Sequence, residues 1–312
     1  MSTTDQTLLE IERRLDPSDP TRCGVEVLGY GEVSAVLGSR ELPGVVLKRM
    51  SGFPSHEAAL AYAAVVERYV GILRDLDVEV APTELIPLQP ERGRHIVYVM
   101  QPRLDASRFG HALLRRLSAA ALFPLIEQIA IAVRRVLDAN AKRSDGREVG
   151  VDAQLSNWHW PDDSAGGRRP LLIDVSTPFM RKDGVLEIGL DVFLCAYPRP
   201  MQWWVRRSGA IERYLEDYYH FEPTMVDLIG NFKKEGAADK IAAMIELVND
   251  WIARQPQAER LGRIDAERVK AYYTNDAATL ELSLRARRLS RFVNTKLLRR
   301  RYDFILPGRI DR

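Results

Sequence analysis

The segment from Val149 to Val175 constrains the fold and chemistry of this chain more than any other stretch. Its first part reads VGVDAQLSNWHW, and Ala153 to Ser156 shows neither the period of a helix nor the alternation of a strand. This pattern predicts a short loop that carries two polar side chains, Asp152 and Asn157.

A β-hairpin is predicted directly after this loop. A short strand from Asn157 to Trp160 ends at a cluster of turn formers over residues 161–167, and an apolar strand returns over Pro170 to Val175. Asp174, near the end of the return strand, is thereby carried back towards Asn157 and the loop. Two carboxylates and an amide can hold a divalent cation through oxygen ligands and leave one aspartate to accept a proton.

A purely structural role for these residues is the competing interpretation. Aspartate and asparagine are common in loops because their side chains hydrogen-bond to nearby backbone groups, and a D-x-x-x-x-N spacing arises by chance in many chains. The chemical interpretation gains support from the third oxygen ligand on the hairpin and from a phosphate-binding pattern upstream.

The upstream pattern is a glycine-containing hairpin. Alternating residues from Val25 predict a strand, a bend at Gly29 and Gly31, and a second strand from Val33 to Leu37. A third strand follows at Val45 to Met50. A dinucleotide-binding fingerprint requires a helix after its glycines, whereas β-branched residues and another turn follow here, so that class of site is excluded.

Two interpretations of this hairpin stay open. In the first, Gly29 and Gly31 let backbone N–H groups approach phosphates closely, and Lys48 on the third strand supplies a positive charge. In the second, it is a plain hairpin with a surface lysine, because short glycine motifs match many unrelated chains.

Composition bounds the class of protein. A chain of 312 residues with 46% hydrophobic and 28% charged residues is globular, with one large core or two smaller ones. A net charge of +2 argues against nucleic acid as a partner, and the five histidines lack zinc-ligand spacing.

Cys23 and Cys195 are too few for a disulfide framework, and the N-terminus lacks a signal-peptide layout, so a cytoplasmic location is expected. The apolar run Ala119 to Val133 is too short and too polar to span a bilayer, so no membrane partner is expected.

These motifs together resemble those of the protein-kinase-like fold, and most closely its small-molecule branch, the aminoglycoside phosphotransferase and choline kinase-like enzymes. The matching elements, in chain order, are the Gly29, Gly31 and Ser34 motif, Lys48 in V-V-L-K, a glutamate on the next helix, Asp152 with Asn157, and Asp174 in I-D-V. The resemblance implies an α+β, two-lobed fold. Residues 1–100 would form a small, mostly antiparallel β N-lobe, and residues 101–312 a larger helical C-lobe with the catalytic, metal and acceptor sites.

The resemblance also implies residue roles and cofactors. Asp152 would be the catalytic base, and Asn157 and Asp174 would hold magnesium. Lys48 would grip the α and β phosphates of ATP. The implied cofactors are therefore ATP and Mg²⁺.

A helix glutamate orients this lysine in the family, and Glu67 matches the family spacing better than Glu57. The hairpin over the phosphates would contain Gly29, Gly31 and Ser34. The strand from Arg94 to Met100 would lead to an interlobe hinge at Gln101 and Pro102, whose backbone would meet adenine.

The chain departs from the family at two signatures. Gly150-Val151-Asp152 stands where the family has H-G-D or H-R-D, and Asp174-Val175-Ser176 stands where it has D-F-G. Because the missing histidine braces the loop and does not react, the departure affects rate and regulation before it affects chemistry.

The second half of the chain predicts helices. Apolar periodicity indicates helices at 107–117, 119–139 and 239–254, and a capping box at Thr224 and Asp227 predicts the start of another. Trp203 and Trp204 either wall a substrate pocket or anchor a core.

A basic segment lies near the end of the chain. Arg285 to Arg301 contains eight Arg or Lys residues and no acid, and Ala286, Leu289, Val293 and Leu297 share one face of the predicted helix. A solvated basic face is one interpretation, and an anionic substrate or partner is the other.

Two functional classes follow. The first is an ATP- and Mg-dependent phosphotransferase, a small-molecule kinase that transfers phosphate to the hydroxyl of a small metabolite. The second is a nucleotide-binding pseudokinase or scaffold without phosphoryl transfer, because fold alone does not decide function.

Overall fold

The N-terminal part of the chain is built on a five-stranded antiparallel sheet. The computed structural model describes residues 2–31, 34–161 and 169–307, with only the backbone for 273–280. The strands, in the spatial order β1-β2-β3-β5-β4, are β1 Val25–Tyr30, β2 Ser34–Ser39, β3 Leu42–Ser51, β4 Glu84–Glu91 and β5 Arg94–Pro102. The alternating pattern correctly predicted the first three strands; Val33 and the turn residues 162–167 lie outside the described residues.

Two helices accompany this sheet. Helix α1, Thr3–Arg14, begins at a capping box between Ser2 and Asp5, and helix α2, His56–Asp75, connects β3 to β4. The Ser55 side chain caps α2 by accepting a hydrogen bond from the backbone N–H of Ala58 (3.2 Å).

The rest of the chain is mostly helical. Its helices are α3 Gly110–Arg116, α4 Ala119–Asn140, α5 Asp191–Leu194, α6 Arg199–Ser208, α7 Ala210–Glu216, α8 Phe221–Lys234, α9 Ile241–Ala253, α10 Ala258–Leu261 and α11 Ala266–Phe292. Short strands form two small antiparallel sheets, one of β6 Arg147–Val149, β9 Met180–Lys182 and β10 Val185–Leu186, the other of β7 Trp158–His159 and β8 Leu171–Leu172. No helix in the described ranges is long and apolar enough to cross a membrane.

The alternation of β5 divides the interior into two apolar clusters. Ile96 and Tyr98 face a small cluster formed with α1, whereas Val97 and Val99 face a large cluster shared with α2 and the helical region. The sheet is therefore covered on both faces, and its second face joins the helical region in one continuous core.

A buried charge network lies under α1. Glu12, fully buried, accepts two hydrogen bonds from Arg49 on β3 (2.8 and 2.7 Å) and one from the Tyr98 hydroxyl (2.7 Å), and it also pairs with Arg94. Burial opposes ionisation of Glu12, but the charges and hydrogen bonds of the two arginines outweigh it and hold the pKa of this carboxyl below its ordinary value.

The C-terminal segment is attached to this network. Arg49 donates a hydrogen bond to the backbone carbonyl of Asp303, as does the Ser51 hydroxyl (3.3 Å), and Ile305 joins the cluster beneath α1. Residues assigned by the sequence to the second domain thus pack on the sheet of the first.

Two helix predictions were wrong in detail. Helix α8 begins at Phe221, so Thr224 and Asp227 lie inside it and form no capping box; the Thr224 hydroxyl instead donates to the carbonyl of His220 (2.8 Å). Helix α11 ends at Phe292, a π-helical turn covers Val293–Leu297, and the predicted helix does not extend to Arg301.

Because Glu12 neutralises buried arginines, replacing it should leave cationic groups without their counter-charge. Glu12→Gln should lower the free energy of unfolding by about 3–5 kcal/mol, as measured by urea denaturation. Glu10→Gln, on the exposed side of the same helix, should change it by less than about 0.5 kcal/mol. A loss below about 1 kcal/mol for Glu12→Gln would contradict a stabilising role of the network.

Candidate active site

The predicted hairpin strands pair as β7 and β8, but both are shorter than predicted: Asn157 ends a short 3-10 turn before β7, and Asp174 follows β8. Trp158 of β7 pairs with Leu172 of β8, and the backbone N–H of Ile173 donates to the carbonyl of Asn157 (2.9 Å). Strand β8 is also held on its other side, since the N–H of Leu172 donates to Glu79 (2.8 Å). Asp174 is the second residue after β8. The two residues before it, Leu172 and Ile173, are thus held by backbone hydrogen bonds to segments on both sides.

Lys48 of β3 meets this carboxylate directly. Its Nζ atom lies 2.7 Å from both Oδ1 and Oδ2 of Asp174, and the N–H and hydroxyl of Ser176 donate to Oδ1 (3.2 and 2.9 Å). Burial opposes the charge on Asp174, but Lys48 outweighs it, so the pKa of this carboxyl lies below its ordinary value. The ion pair connects the sheet to the hairpin across 126 positions of sequence.

The glycine hairpin passes close to this lysine. The backbone N–H of Gly31 donates to the carbonyl of Ser34 (3.1 Å), and a Cβ atom at Gly31 would lie 2.5 Å from the Ser34 hydroxyl and 3.7 Å from Cε of Lys48. A side chain at Gly31 would force the Ser34 hydroxyl to move, so glycine allows the two residues to approach closely here. At Gly29 the nearest atom, Cβ of Val36, would be 3.9 Å away, which is ordinary contact.

Glu67 does not reach Lys48. It lies on the exposed side of α2, and in the described part of the chain no ion pair joins the two; Glu57 is exposed as well. The helix contributes two buried tyrosines instead. The Tyr62 hydroxyl donates to the carbonyl of Ser176 (2.7 Å), and the Tyr69 hydroxyl donates to that of Gly150 (2.9 Å).

At Gly150, where the resemblance noted in the sequence would place a histidine, the structure leaves no room for a side chain. A Cβ atom there would lie 2.6 Å from the backbone carbonyl oxygen of Tyr218. The N–H of Gly150 donates to the carbonyl of Phe179 (2.8 Å), while its own carbonyl is held by Tyr69. Backbone packing and the Tyr69 hydroxyl thus hold the start of the Asp152 loop in place.

Asp152 shares its surroundings with a second carboxylate, Asp227 of α8. The N–H of Gln154 donates to Oδ1 of Asp152 (2.9 Å), and the Gln154 side-chain amide lies 3.3 and 3.2 Å from the two carboxylate oxygens of Asp227. Burial, followed by the negative charge of Asp227, raises the pKa of Asp152 well above its ordinary value. Asp174 acts in the same direction, whereas hydrogen bonds from Gln154 and Asn157 oppose the shift.

Asp227 was misassigned from the sequence. It is buried in the middle of α8, where Asn231 donates to its Oδ1 atom (2.6 Å) and the Tyr218 hydroxyl to its Oδ2 atom (3.3 Å). The available signal was its position in Met-Val-Asp-Leu-Ile, because a carboxylate within an apolar helical run has to find partners inside the protein.

Gln101 ties the end of β5 to the same hairpin. Its side-chain amide donates to the carbonyl of Ile173 (2.8 Å) and to the hydroxyl of Thr83 (3.0 Å). Gln101 and Pro102 still pair with β3, so the predicted hinge position is the last part of the strand.

Two other predicted features lie elsewhere. Trp203 and Trp204 are 62% and 61% exposed on α6, so neither anchors a core. No cluster of three or more His, Cys, Asp or Glu side chains within the described ranges has metal-site geometry. A metal near Asp174 would therefore depend on oxygen donors of other kinds, such as the Asn157 amide.

The raised pKa of Asp152 makes a stability prediction. A carboxyl with a folded-state pKa above its unfolded value favours the folded state at low pH and loses that contribution as pH rises through the folded pKa. Asp152→Asn should therefore increase the free energy of unfolding at pH 8 relative to the unchanged protein, and this gain should shrink as pH falls from the folded-state pKa towards the pKa of an unfolded aspartate, below which it should vanish. Urea denaturation at several pH values measures it, with exposed Asp250→Asn as the control. A gain that is constant with pH would contradict the shift.

Comparisons with known proteins place the chain in a family. A search of curated proteins found no match. Among solved structures, one similar chain is that of the amicoumacin kinase hAmiN in complex with AMP-PNP, Ca²⁺ and Ami, with 10% identity, 88% of this chain and 92% of that chain covered, and a TM-score of 0.31. A TM-score this low does not identify the fold. A family described as of unknown function, DUF6206, matches residues 19–291, and the chain belongs to that family.

Proposed function

We propose that this protein is an ATP- and Mg-dependent phosphotransferase that acts on the hydroxyl of a small metabolite. The observation that carries the proposal is the Lys48–Asp174 ion pair, beside which Asn157 and Asp152 lie on one hairpin and its preceding loop. A cation, two carboxylates and an amide are brought together from three segments, the strand β3, the loop that holds Asp152 and Asn157, and the stretch after β8, and together they match the parts needed for phosphoryl transfer. The same proposal includes a two-lobed arrangement, with an N-lobe at 1–100 and a C-lobe at 101–312. It also includes a cytoplasmic location.

Asp174 and Asn157 would hold magnesium. When the Asn157 amide nitrogen donates to Asp152, its oxygen remains as a neutral hard ligand, and Asp174 supplies the charged one. Magnesium usually takes only one or two protein carboxylates and completes its shell with water and phosphate, so this small donor set suits it. When bound, the ion neutralises charge on the transferred phosphoryl group.

Gly29, Gly31 and Ser34 would cover the phosphates, and Lys48 beneath them would supply the positive charge. Phosphates would have to replace Asp174 as the partner of Lys48, while Asp174 turned to the metal. Nucleotide and magnesium binding should therefore be coupled. The end of β5 at Gln101, tied to Ile173 of the metal strand, is the proposed contact for adenine.

Asp152 would accept the proton of the acceptor hydroxyl. A general base works best when its pKa lies near the working pH, and burial together with Asp227 moves the pKa of Asp152 in that direction. Asp227 would act through Gln154 and through its charge, without touching substrate.

The second candidate is a nucleotide-binding protein without phosphoryl transfer. It is favoured by one observation: Glu57 and Glu67, the α2 glutamates that would orient Lys48, are both exposed. Incubation with labelled ATP and a pool of metabolites separates the two candidates. Label transferred to a metabolite supports the phosphotransferase, and binding without transfer supports the second candidate.

Nucleotide binding can be tested by thermal stability. ATP with magnesium at 100 times its dissociation constant should stabilise the protein by about 2.7 kcal/mol and raise its melting temperature. Lys48→Ala should reduce the shift, because it removes the phosphate-binding charge. Lys182→Ala removes an exposed lysine of β9 and should leave it unchanged. No shift with any nucleoside triphosphate at saturating concentration would refute both candidates.

The two site aspartates should respond differently to substitution. Asp174→Asn removes a charged metal ligand and should impair both magnesium-dependent nucleotide binding and turnover. Asp152→Asn should keep the nucleotide-dependent thermal shift and lower the turnover rate by roughly 10² to 10⁴, the usual contribution of a positioned base. Asn157→Ala should resemble Asp174→Asn. The reverse pattern, with Asp152→Asn abolishing nucleotide binding and Asp174→Asn sparing it, would refute these roles.

A further inference from the structure

Exposed apolar side chains are concentrated near the end of the chain. Leu282, Leu289, Phe292, Leu297 and Leu298 are all more than half exposed, and they fall within 17 consecutive positions. Residues 282–301 are called the basic–apolar segment below. A group of exposed apolar side chains in one segment marks an interaction site more often than single exposed leucines do.

The exposed residues form a face of helix α11. Leu282, Leu289 and Phe292 are seven and three positions apart, which places them on one side of the helix. The other side is the buried one, because Leu284 and Arg287 are 9% and 2% exposed. The sequence-based interpretation, in which basic residues form a solvated face opposite the apolar one, is therefore wrong for Arg287. That arginine faces inward and hydrogen-bonds to Tyr302.

The apolar face carries positive charge. No acidic residue occurs between Glu281 and Asp303, and the exposed cations include Arg285, Lys296, Arg299 and Arg300. Exposed leucines and exposed cations therefore lie close together in sequence along this segment, where Arg285 also pairs with Glu281, a combination that neither water nor an apolar core satisfies fully.

Helix α6 adds a second exposed amphipathic element. The start of α6 follows Tyr197, whose hydroxyl lies 2.5 Å from the hydroxyl of Ser283, next to Leu282 on α11. The helix buries none of its residues, and it exposes Trp203 and Trp204 beside two arginines, Arg206 and Arg207. Arg206 pairs with Asp191 and the Arg207 guanidinium lies over the Trp203 ring, so α6 exposes tryptophan beside arginine, a combination typical of helices that lie in a membrane interface.

We propose that the basic–apolar segment, together with α6, docks onto the surface of an anionic lipid bilayer. Leucine and phenylalanine would enter the headgroup region while the flanking Lys and Arg residues contact acidic headgroups. A second copy of the chain fits this surface poorly, because two segments of the same positive charge repel each other. Nucleic acid would use the cations and leave the leucines in water.

The sequence prediction of no membrane partner considered only a spanning segment. A helix that lies on a bilayer needs an amphipathic face but does not need the length to span the membrane. This face can be identified only once the structure shows which side of α11 is buried. The site near Asp152 plays no part in this docking, so its test does not depend on the proposed function.

The proposal can be tested with the full chain and vesicles in the absence of nucleotide. The protein should co-sediment with vesicles of phosphatidylcholine mixed with phosphatidylserine, and at least about tenfold less with phosphatidylcholine alone. High salt should weaken the binding, because exposed charge interactions are screened beyond about 8 Å at physiological salt.

Two pairs of substitutions separate the apolar and charged contributions. Leu297→Ser with Leu298→Ser, and Arg299→Gln with Arg300→Gln, should each reduce vesicle binding about tenfold without lowering the melting temperature, since all four side chains are exposed. The matched controls are Leu60→Ser with Ile131→Ser, and Arg40→Gln with Arg92→Gln, which alter exposed side chains elsewhere.

Three results would overturn the proposal. The first is equal binding to neutral and anionic vesicles, or no binding to either. The second is an equal loss of binding in the control variants. The third is a dimer, seen by analytical ultracentrifugation, that Leu297→Ser with Leu298→Ser dissociates, because the face would then be a contact between copies.

Discussion

Lys48 and Arg49, two neighbouring cations on β3, project to opposite faces of the sheet. The contacts of each one join a different part of the chain to the sheet. Arg49 turns towards α1, where Glu12 and the backbone of Asp303 surround its guanidinium. Lys48 turns the other way and meets Asp174. Because successive side chains of a strand point to opposite faces, the same stretch of β3 backbone positions both the buried network and the candidate site. A change in the register of β3 would disrupt both at once.

The helical region reaches the site through hydrogen bonds from α2 and α8. Tyr62 and Tyr69 lie seven positions apart on α2, so both face inward and hold the segments that follow Asp174 and precede Asp152. In this chain the inward face of α2 offers hydroxyl groups to backbone carbonyls, and no carboxylate from it approaches the site lysine in the described ranges. That arrangement leaves Asp174 as the counter-charge of Lys48.

The two carboxylates of the candidate site are held in opposite electrostatic conditions. Lys48 compensates Asp174 and keeps its pKa low, whereas the negative charge of Asp227 adds to the effect of burial on Asp152. Environments that push the pKa values of two acids apart are typical of sites in which one group binds charge and the other moves a proton. Asp174 and Asp152 are both aspartates. The roles proposed for them, metal ligand and base, therefore follow from their different surroundings.

The sequence by itself determined the local features: the alternation that makes β1 to β3, and the pairing of two short strands that returns Asp174 towards Asn157. These could be predicted because hairpins depend on side-chain period and turn chemistry within a few residues. Tertiary structure alone decided that Glu67 faces solvent, that Asp227 is buried beside Asp152, and that Arg287 turns inward while Leu289 is exposed. Helical periodicity defines which residues share a face, but the neighbouring elements decide which face is covered, and those neighbours come from distant parts of the chain.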